Sequence, residues 1–138
     1  MTTSIDLTDD LETCLALRRE VFMEEQGVSL ADEVDGLDPD CLHLLASVDG
    51  VPAGTARIHL VESTAKIGRV CLIISQRGKG LGAALILKAL EVAKGKATRA
   101  KLGAQVDALG FYEKLGFTAI GPVYDDAGIP HRDMVQDL

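Results

Sequence analysis

Residues 77–82, Arg-Gly-Lys-Gly-Leu-Gly, carry the most specific chemistry in this 138-residue chain. Gly78, Gly80 and Gly82 alternate, which removes every Cβ from one side of a turn and lets a ligand approach the backbone. An apolar run precedes the turn. Leu81–Lys94 follows it, with Leu81, Leu85, Ala89 and Val92 on one helical stripe. The pattern predicts a strand, a loop and a helix start. The first amides of a helix lack intrahelical partners and, with the helix dipole, form an anion site to which Arg77 and Lys79 add charge. A flexible surface loop would explain the glycines but not this setting. The cargo is therefore expected to be a phosphate or pyrophosphate.

Two common phosphate binders fail on their own terms. A Walker loop needs Ser or Thr after Gly-Lys to hold magnesium, whereas Gly80 follows Lys79. A dinucleotide fingerprint needs G-x-G-x-x-G and an acidic residue about twenty positions on. Here the spacing is G-x-G-x-G, and residues 95–106 contain no acid.

The elements that position this loop can be read from hydrophobic periodicity. Thr8–Glu12 looks like a capped helix start, and Leu11, Leu15, Arg18 and Phe22 share one face of a helix ending near Gln26, with Cys14, Leu17 and Val21 beside them. Val28–Pro39 reads as an acidic loop. Leu42–Val48 and Val51–Val61 read as a hairpin around Asp49-Gly50. Ala65–Ile74 ends almost continuously apolar, as a central buried strand would. Ala100–Val106 reads as a strand and Ala108–Leu115 as a short helix ended by Gly116. Phe117–Tyr124 and His131–Val135 close the sheet around a turn at Asp125–Pro130. The order β(α)βββαβαββ, with no residues assigned to its opening strand, predicts a mixed α/β fold. Residues 1–138 are expected to form one domain.

With 47% hydrophobic and 25% charged residues, the chain reads as an ordinary globular protein. It contains no apolar run of membrane-spanning length and no signal-like start, so the expected location is the cytoplasm and no membrane partner is expected. A net charge of −7 argues against nucleic acid. Residues 1–65 hold 3 basic and 14 acidic side chains, a net of −11, whereas residues 66–101 hold 9 basic side chains against Glu91 alone, a net of +8. The basic middle third suggests a local anion site, although Lys94, Lys96, Arg99 and Lys101 are read as solvating a helix end and the loop after it. Cys14, Cys41 and Cys71 are read as free, mostly buried thiols, and His43 and His131 have no ligand spacing around them, so no metal is expected.

Two motifs together resemble the GNAT superfamily of acyl-CoA-dependent N-acetyltransferases. Arg77-x-x-Gly80-x-Gly82 is similar to that family's pyrophosphate motif. Gln105-x-x-Ala108-x-x-Phe111-Tyr112-x-x-x-Gly116-Phe117 is similar to its second signature, in which Asn usually stands where Gln105 does. The segment Leu17–Phe22 with Glu25-Gln26, and the closing Ala127-Gly128-Ile129-Pro130-His131 with Met134, resemble the small ElaA-like branch.

The resemblance implies a mostly antiparallel sheet of six to seven strands with helices on both faces, and acetyl-CoA as the acyl donor. It places the backbone of Val70, Cys71 and Leu72 against the pantetheine amides. Arg77, Gly78, Lys79, Gly80, Leu81 and Gly82 would hold the pyrophosphate, Gln105 would touch the cofactor, and Tyr112 would lie near the thioester sulfur. A tyrosine of ordinary pKa, about 10, is protonated at neutral pH and can protonate the departing coenzyme A thiolate. A backbone amide of the central strand could stabilise the oxyanion. The acceptor is expected to be a primary amine of a small molecule or peptide, cationic because the first half of the chain is acidic, and a homodimer is left open. Relatives often carry a glutamate on the strand before the loop, but Lys66–Ile74 contains no carboxylate. His59, Glu62, Glu33 and Asp35 are alternatives alongside a water relay, and no base is assigned. The competing expectation is an acyl-CoA sensor on the same fold that has lost catalysis.

Overall fold

The computed structural model describes residues 2–138. Its strands are β1 (Thr3–Leu7), β2 (Leu42–Val48), β3 (Val51–Val61), β4 (Thr64–Leu72), β5 (Arg99–Gln105), β6 (Thr118–Asp126) and β7 (Ile129–Asp137). They form one seven-stranded sheet in the order β1-β2-β3-β4-β5-β7-β6. Every neighbouring pair is antiparallel except β4 and β5. The β2–β3 turn follows from its residues: Asp49 and Gly50 both have positive φ, 51° and 80°, the geometry that matches the twist of the flanking strands.

Helices cover both faces. On one, α3 (Leu81–Ala93) buries Leu85, Ile86 and Ala89 against Leu44, Ala56, Ile58 and Ile67. On the other, α1 (Leu11–Arg18) and the π-helical segment Arg19–Glu25 pack Leu17 and Val21 against Cys71, with Leu45 alongside. The short helices α2 (Leu30–Glu33) and α4 (Leu109–Glu113) complete the set. No helix among the described residues is long and apolar enough to cross a membrane.

The sheet opens at its parallel pair. β4 and β5 are paired only through Thr64–Arg99, Ala65–Ala100 and Lys66–Lys101. Beyond that point β4 stays bound to β3, and β5 stays bound to β7 through Gln105–His131. On β4 a bulge follows, because Arg57 pairs with Gly68 while Thr55 pairs with Cys71. Arg69 sits in this bulge with φ of 52°. A bulge leaves one residue outside the ladder and bends its strand.

Several expectations from sequence are corrected here. Thr3–Leu7 supplies the opening strand, an exposed edge with too few apolar residues to announce itself. The buried face of α1 carries Cys14, Leu17 and Arg18, not Leu11 and Leu15. The apolar end of β4 stops at Leu72 and forms the wall of an opening rather than a fully enclosed strand. Ile74 is 67% exposed. The turn between β6 and β7 is only Ala127-Gly128, because Ala127 adopts φ of 54°, a conformation alanine does not advertise.

The acidic loop is also not simply solvated. Arg18 is 1% exposed and donates to Glu33 (Nε–Oε1 2.5 Å) and Asp38 (Nη1–Oδ1 2.8 Å). Arg57 forks onto Asp35 at 2.8 and 2.9 Å and also reaches Asp38 at 3.1 Å. Arg69 donates to the Glu33 carbonyl from Nε at 3.2 Å and Nη2 at 3.0 Å. Burial alone would raise the pKa of Asp38, but the bonds from Arg18 and Arg57 outweigh it and leave the carboxyl below its ordinary value. The Arg57 fork holds Asp35 well below the usual carboxylate range.

Arg18→Met keeps comparable bulk and removes the buried charge between Glu33 and Asp38. Stranding buried charges typically costs about 3–5 kcal/mol, and urea denaturation should reveal a loss of that order. A loss below about 1 kcal/mol would mean that the network is hydrated. Both depressed carboxylates stabilise the fold above their ordinary pKa near 4, and that stability disappears as pH falls through their lower folded values.

Candidate active site

A cleft of about 560 Å³ occupies the opening between β4 and β5, a size usual for small-ligand sites. β4 lines it with Ile67–Leu72 and β5 with Leu102, Gly103 and Gln105. Val21, Phe22 and Gln26 close one side, while Phe111 and Tyr112 of α4 close another. Tyr124, Asp126, Ala127, Ile129 and His131, around the β6–β7 turn, complete the wall. Among the described residues no cluster of His, Cys, Asp or Glu has metal-binding geometry.

The cleft brings together seven residues assigned to cofactor or catalysis from the sequence, Val70, Cys71, Leu72, Arg77, Gly82, Gln105 and Tyr112, and also Glu33 from among the candidate bases. Gly78, Lys79, Gly80 and Leu81 lie outside its lining. Leu81 turns its side chain into the core, so only its backbone is available to the loop. Gly80 caps α3 with φ of 83°, and a Cβ built there would meet nothing within 4 Å. The loop thus leaves open space at the amides that start α3.

Arg77 is already engaged. Its guanidinium forks onto Glu25 at 2.7 Å twice and donates to the Leu72 carbonyl at 2.8 and 3.1 Å. The Arg77 hydrogen bond in turn holds the Glu25 carboxyl below its ordinary pKa. Gln105 donates from Nε2 to Gln26 Oε1 at 3.3 Å, joining β5 to the end of the π-helical segment across the cleft.

Tyr112 is half-buried, edge-on to Phe111 at 5.0 Å and to Phe117 at 6.0 Å between ring centroids. Burial raises its pKa above the ordinary 10, so the phenol keeps its proton across the neutral range. Cys71 also borders the cleft, and burial pushes its thiol up to about 12. At neutral pH it is a thiol, not the thiolate that nucleophilic attack requires.

Of the carboxylates considered as bases, Glu33 and Asp35 are held by arginines, and Glu62 lies outside the cleft lining, as does His59. Sequence reasoning gave no role in the site to His131, Tyr124, Arg69 or Gln26, all of which line the cleft. His131 stood in a segment notable only for its resemblance. Arg69 carried no signal, because its position depends on the bulge.

The family described as "Acetyltransferase (GNAT) domain" matches residues 10–138. The chain belongs to the GNAT acetyltransferases. Protein ElaA of Escherichia coli is 32% identical over 134 residues, covering 93% of this chain and 88% of its own. The ElaA crystal structure superposes with a TM-score of 0.87 over 98% of this chain and 99% of that one, at 29% identity. An acyl-CoA N-acyltransferase from Pseudomonas aeruginosa is 34% identical with a TM-score of 0.84, covering 98% of each chain. The PaiA N-acetyltransferase from Thermoplasma acidophilum, solved in complex with coenzyme A, shares the fold at 21% identity and a TM-score of 0.76 over 100% of both chains.

Gly80→Val tests the loop. The branched side chain must adopt the left-handed region, costing about 1–3 kcal/mol, and it would project into the open space before α3. The dissociation constant for coenzyme A should rise at least about tenfold while the far-ultraviolet circular dichroism stays native. Unchanged affinity in the folded variant would remove the loop from the binding site.

Proposed function

We propose that the protein transfers the acetyl group of acetyl-CoA to a primary amine of a small molecule or peptide by direct attack within this cleft. The observation that carries the reading is the parted β4–β5 pair with Tyr112 at its side. Strands that separate leave edge amides and carbonyls facing the gap, and an extended ligand bearing amides pairs with them as another strand would. The pantetheine arm has that chemistry, and Val70, Cys71 and Leu72 present the edge. The amides starting α3 would take the pyrophosphate, with Lys79 adding charge beside them.

In this reading the amine attacks the thioester carbonyl carbon and an oxyanion forms. The β4 bulge supplies a backbone N–H outside the ladder to receive that charge. The carbon–sulfur bond then breaks, and Tyr112 gives its proton to the coenzyme A sulfur. The high pKa of Cys71 disfavours an acetyl-cysteine intermediate, which supports one direct transfer rather than two. Asp32 and Asp126, exposed carboxylates of the cleft without ion pairs among the described residues, support a cationic acceptor. A second reading, acyl-CoA binding without turnover, is favoured by one observation: β4 carries no carboxylate to act as base.

Coenzyme A should raise the melting temperature and ATP should not; the reverse result would overturn the cofactor assignment. Tyr112→Phe keeps the ring against Phe117 and removes only the hydroxyl. A positioned acid contributes on the order of 10²–10⁴-fold, so turnover should fall at least about tenfold with acetyl-CoA affinity nearly unchanged. Turnover within about twofold of the parent at saturating substrates would remove Tyr112 as the acid. Because burial raises its pKa, the parent should show no loss of rate from Tyr112 ionisation below about pH 10.

A further inference from the structure

We infer that His131 is the base that takes the proton from the acceptor amine. This rests on the acetyltransfer reading and supplies the group that reading lacks. His131 Nδ1 lies 2.7 Å from the Ile129 carbonyl oxygen. A carbonyl only accepts, so Nδ1 donates and the neutral ring carries its lone pair on Nε2. Nε2 has no protein partner among the described residues, and the residue borders the cleft.

The strands place this nitrogen on the side opposite Tyr112. His131 is the register partner of Gln105, whose side chain reaches Gln26 on the α1 side of the sheet. Residues directly opposite on paired strands share a face. Met134, at odd spacing from His131, is fully buried in the α3-side core against which Tyr112 packs. The two groups therefore flank the β4–β5 opening from opposite faces. An acceptor entering from the α1 side meets His131, while Tyr112 stands on the α3 side to protonate the leaving sulfur.

The ring is held in place. Tyr124 stacks on it at 6.1 Å with 25° between planes, and the Tyr124 hydroxyl donates to Asp133 Oδ1 at 2.7 Å. A Cβ at Gly103 would lie 2.5 Å from the Tyr124 oxygen, so glycine there makes room for this clamp. The titratable group stacked on the ring is Tyr124, bonded to Asp133, and the others lining the cleft are Asp32, Glu33, Arg69, Cys71, Arg77, Tyr112 and Asp126. Lys101 lies 3.6 Å from Asp133 and offsets part of that charge.

The step balances as follows. Nε2 removes one proton from the acceptor ammonium, becoming imidazolium, and the freed nitrogen lone pair bonds to the thioester carbon. The tetrahedral intermediate collapses with cleavage of the carbon–sulfur bond, and Tyr112 protonates the thiolate. The second ammonium proton, still on nitrogen, restores the Tyr112 phenol, and the imidazolium releases its proton to solvent. The products are an amide, free coenzyme A and one proton.

The test uses the full chain with acetyl-CoA and a panel of primary alkylamines, linear diamines and lysine-containing peptides, read by thiol release. His131→Asn places an amide N–H near Nδ1, preserving the bond to Ile129, and deletes the Nε2 lone pair. Its kcat/KM for the amine should fall about 10²-fold or more at pH 7, with coenzyme A affinity within about twofold. The variant should recover as pH approaches the pKa of the amine, because the acceptor then arrives neutral and needs no base. Turnover within about twofold of the parent at pH 7 overturns the role of His131 alone. A variant that no longer binds coenzyme A makes His131 structural and also overturns it. A parent that binds coenzyme A but releases no thiol with any amine overturns acetyl transfer, and this role with it.

Discussion

The parallel contact between β4 and β5 ends after Lys66 and Lys101, and the cleft exists because both strands continue beyond it. Each strand is secured on its outer side by an antiparallel ladder. β3 holds β4 as far as Leu72, and β7 holds β5 from Arg99 through Gln105. The opening is therefore built from two pinned edges and does not depend on a mobile loop. An unpaired edge within a sheet is a standing demand for hydrogen-bond partners, met by water or by a ligand shaped like a strand. The fold thus presents a binding slot as a consequence of its strand order, with α3 crossing from β4 to β5 and presenting its N-terminal amides near one end.

The bulge at Arg69 is tied to the acidic loop by the same interactions that fill the space beneath α1. Arg69 adopts a positive φ, and its guanidinium is bound to the Glu33 carbonyl. Glu33 is bound by Arg18, which is shared with Asp38, and Arg57 joins Asp38 to Asp35. Three arginines and three carboxylates balance in charge. Such a network need not stabilise more than an apolar core of the same shape, but any misplaced member leaves a desolvated charge. Its effect is to define one position for residues 30–40 over the bulge, and so to fix the part of β4 that borders the cleft.

Those two features were unequally legible in the sequence. The glycine loop, α3 and the Asp49-Gly50 hairpin are local patterns, and each could be read from fewer than twenty consecutive residues. The parting of β4 from β5 is not local: the apolar run Val70–Ile74 has the same composition whether it sits between two strands or lines a cleft. Arg18 could be placed on a helical face with Leu11, Leu15 and Phe22, but its partners could not be read, because they lie 15 and 20 positions away. The positive φ of Arg69 and Ala127 follows from tertiary constraints that override residue preference. His131 was visible only as part of a family-like segment, since a lone histidine on a strand has no spacing from which a role could be read. Its tautomer required the carbonyl of Ile129, and its face required the register with Gln105.

The arrangement of groups around the opening also bears on the proposed single transfer and its alternative, a covalent intermediate. A covalent route needs a thiolate at neutral pH, and the thiol nearest the gap is Cys71, packed against Leu17 and Val21 with its pKa near 12. Burial outweighs the charges of Arg18 and Arg77 and the Thr55 backbone bond, which favour the thiolate, so the sulfur keeps its proton. Lowering that pKa would require opening the apolar contact that seats α1 on the sheet. A direct route asks for no charge in that position. It needs an acceptor on one face, an acyl donor running through the gap, and a proton source beside the sulfur. In the proposed reaction Tyr112 would meet the last requirement, since the burial that raises its pKa keeps the phenol protonated. The same desolvation that makes Cys71 a poor nucleophile keeps Tyr112 protonated for the role proposed for it, and both effects follow from how the helices seal the two sides of one sheet.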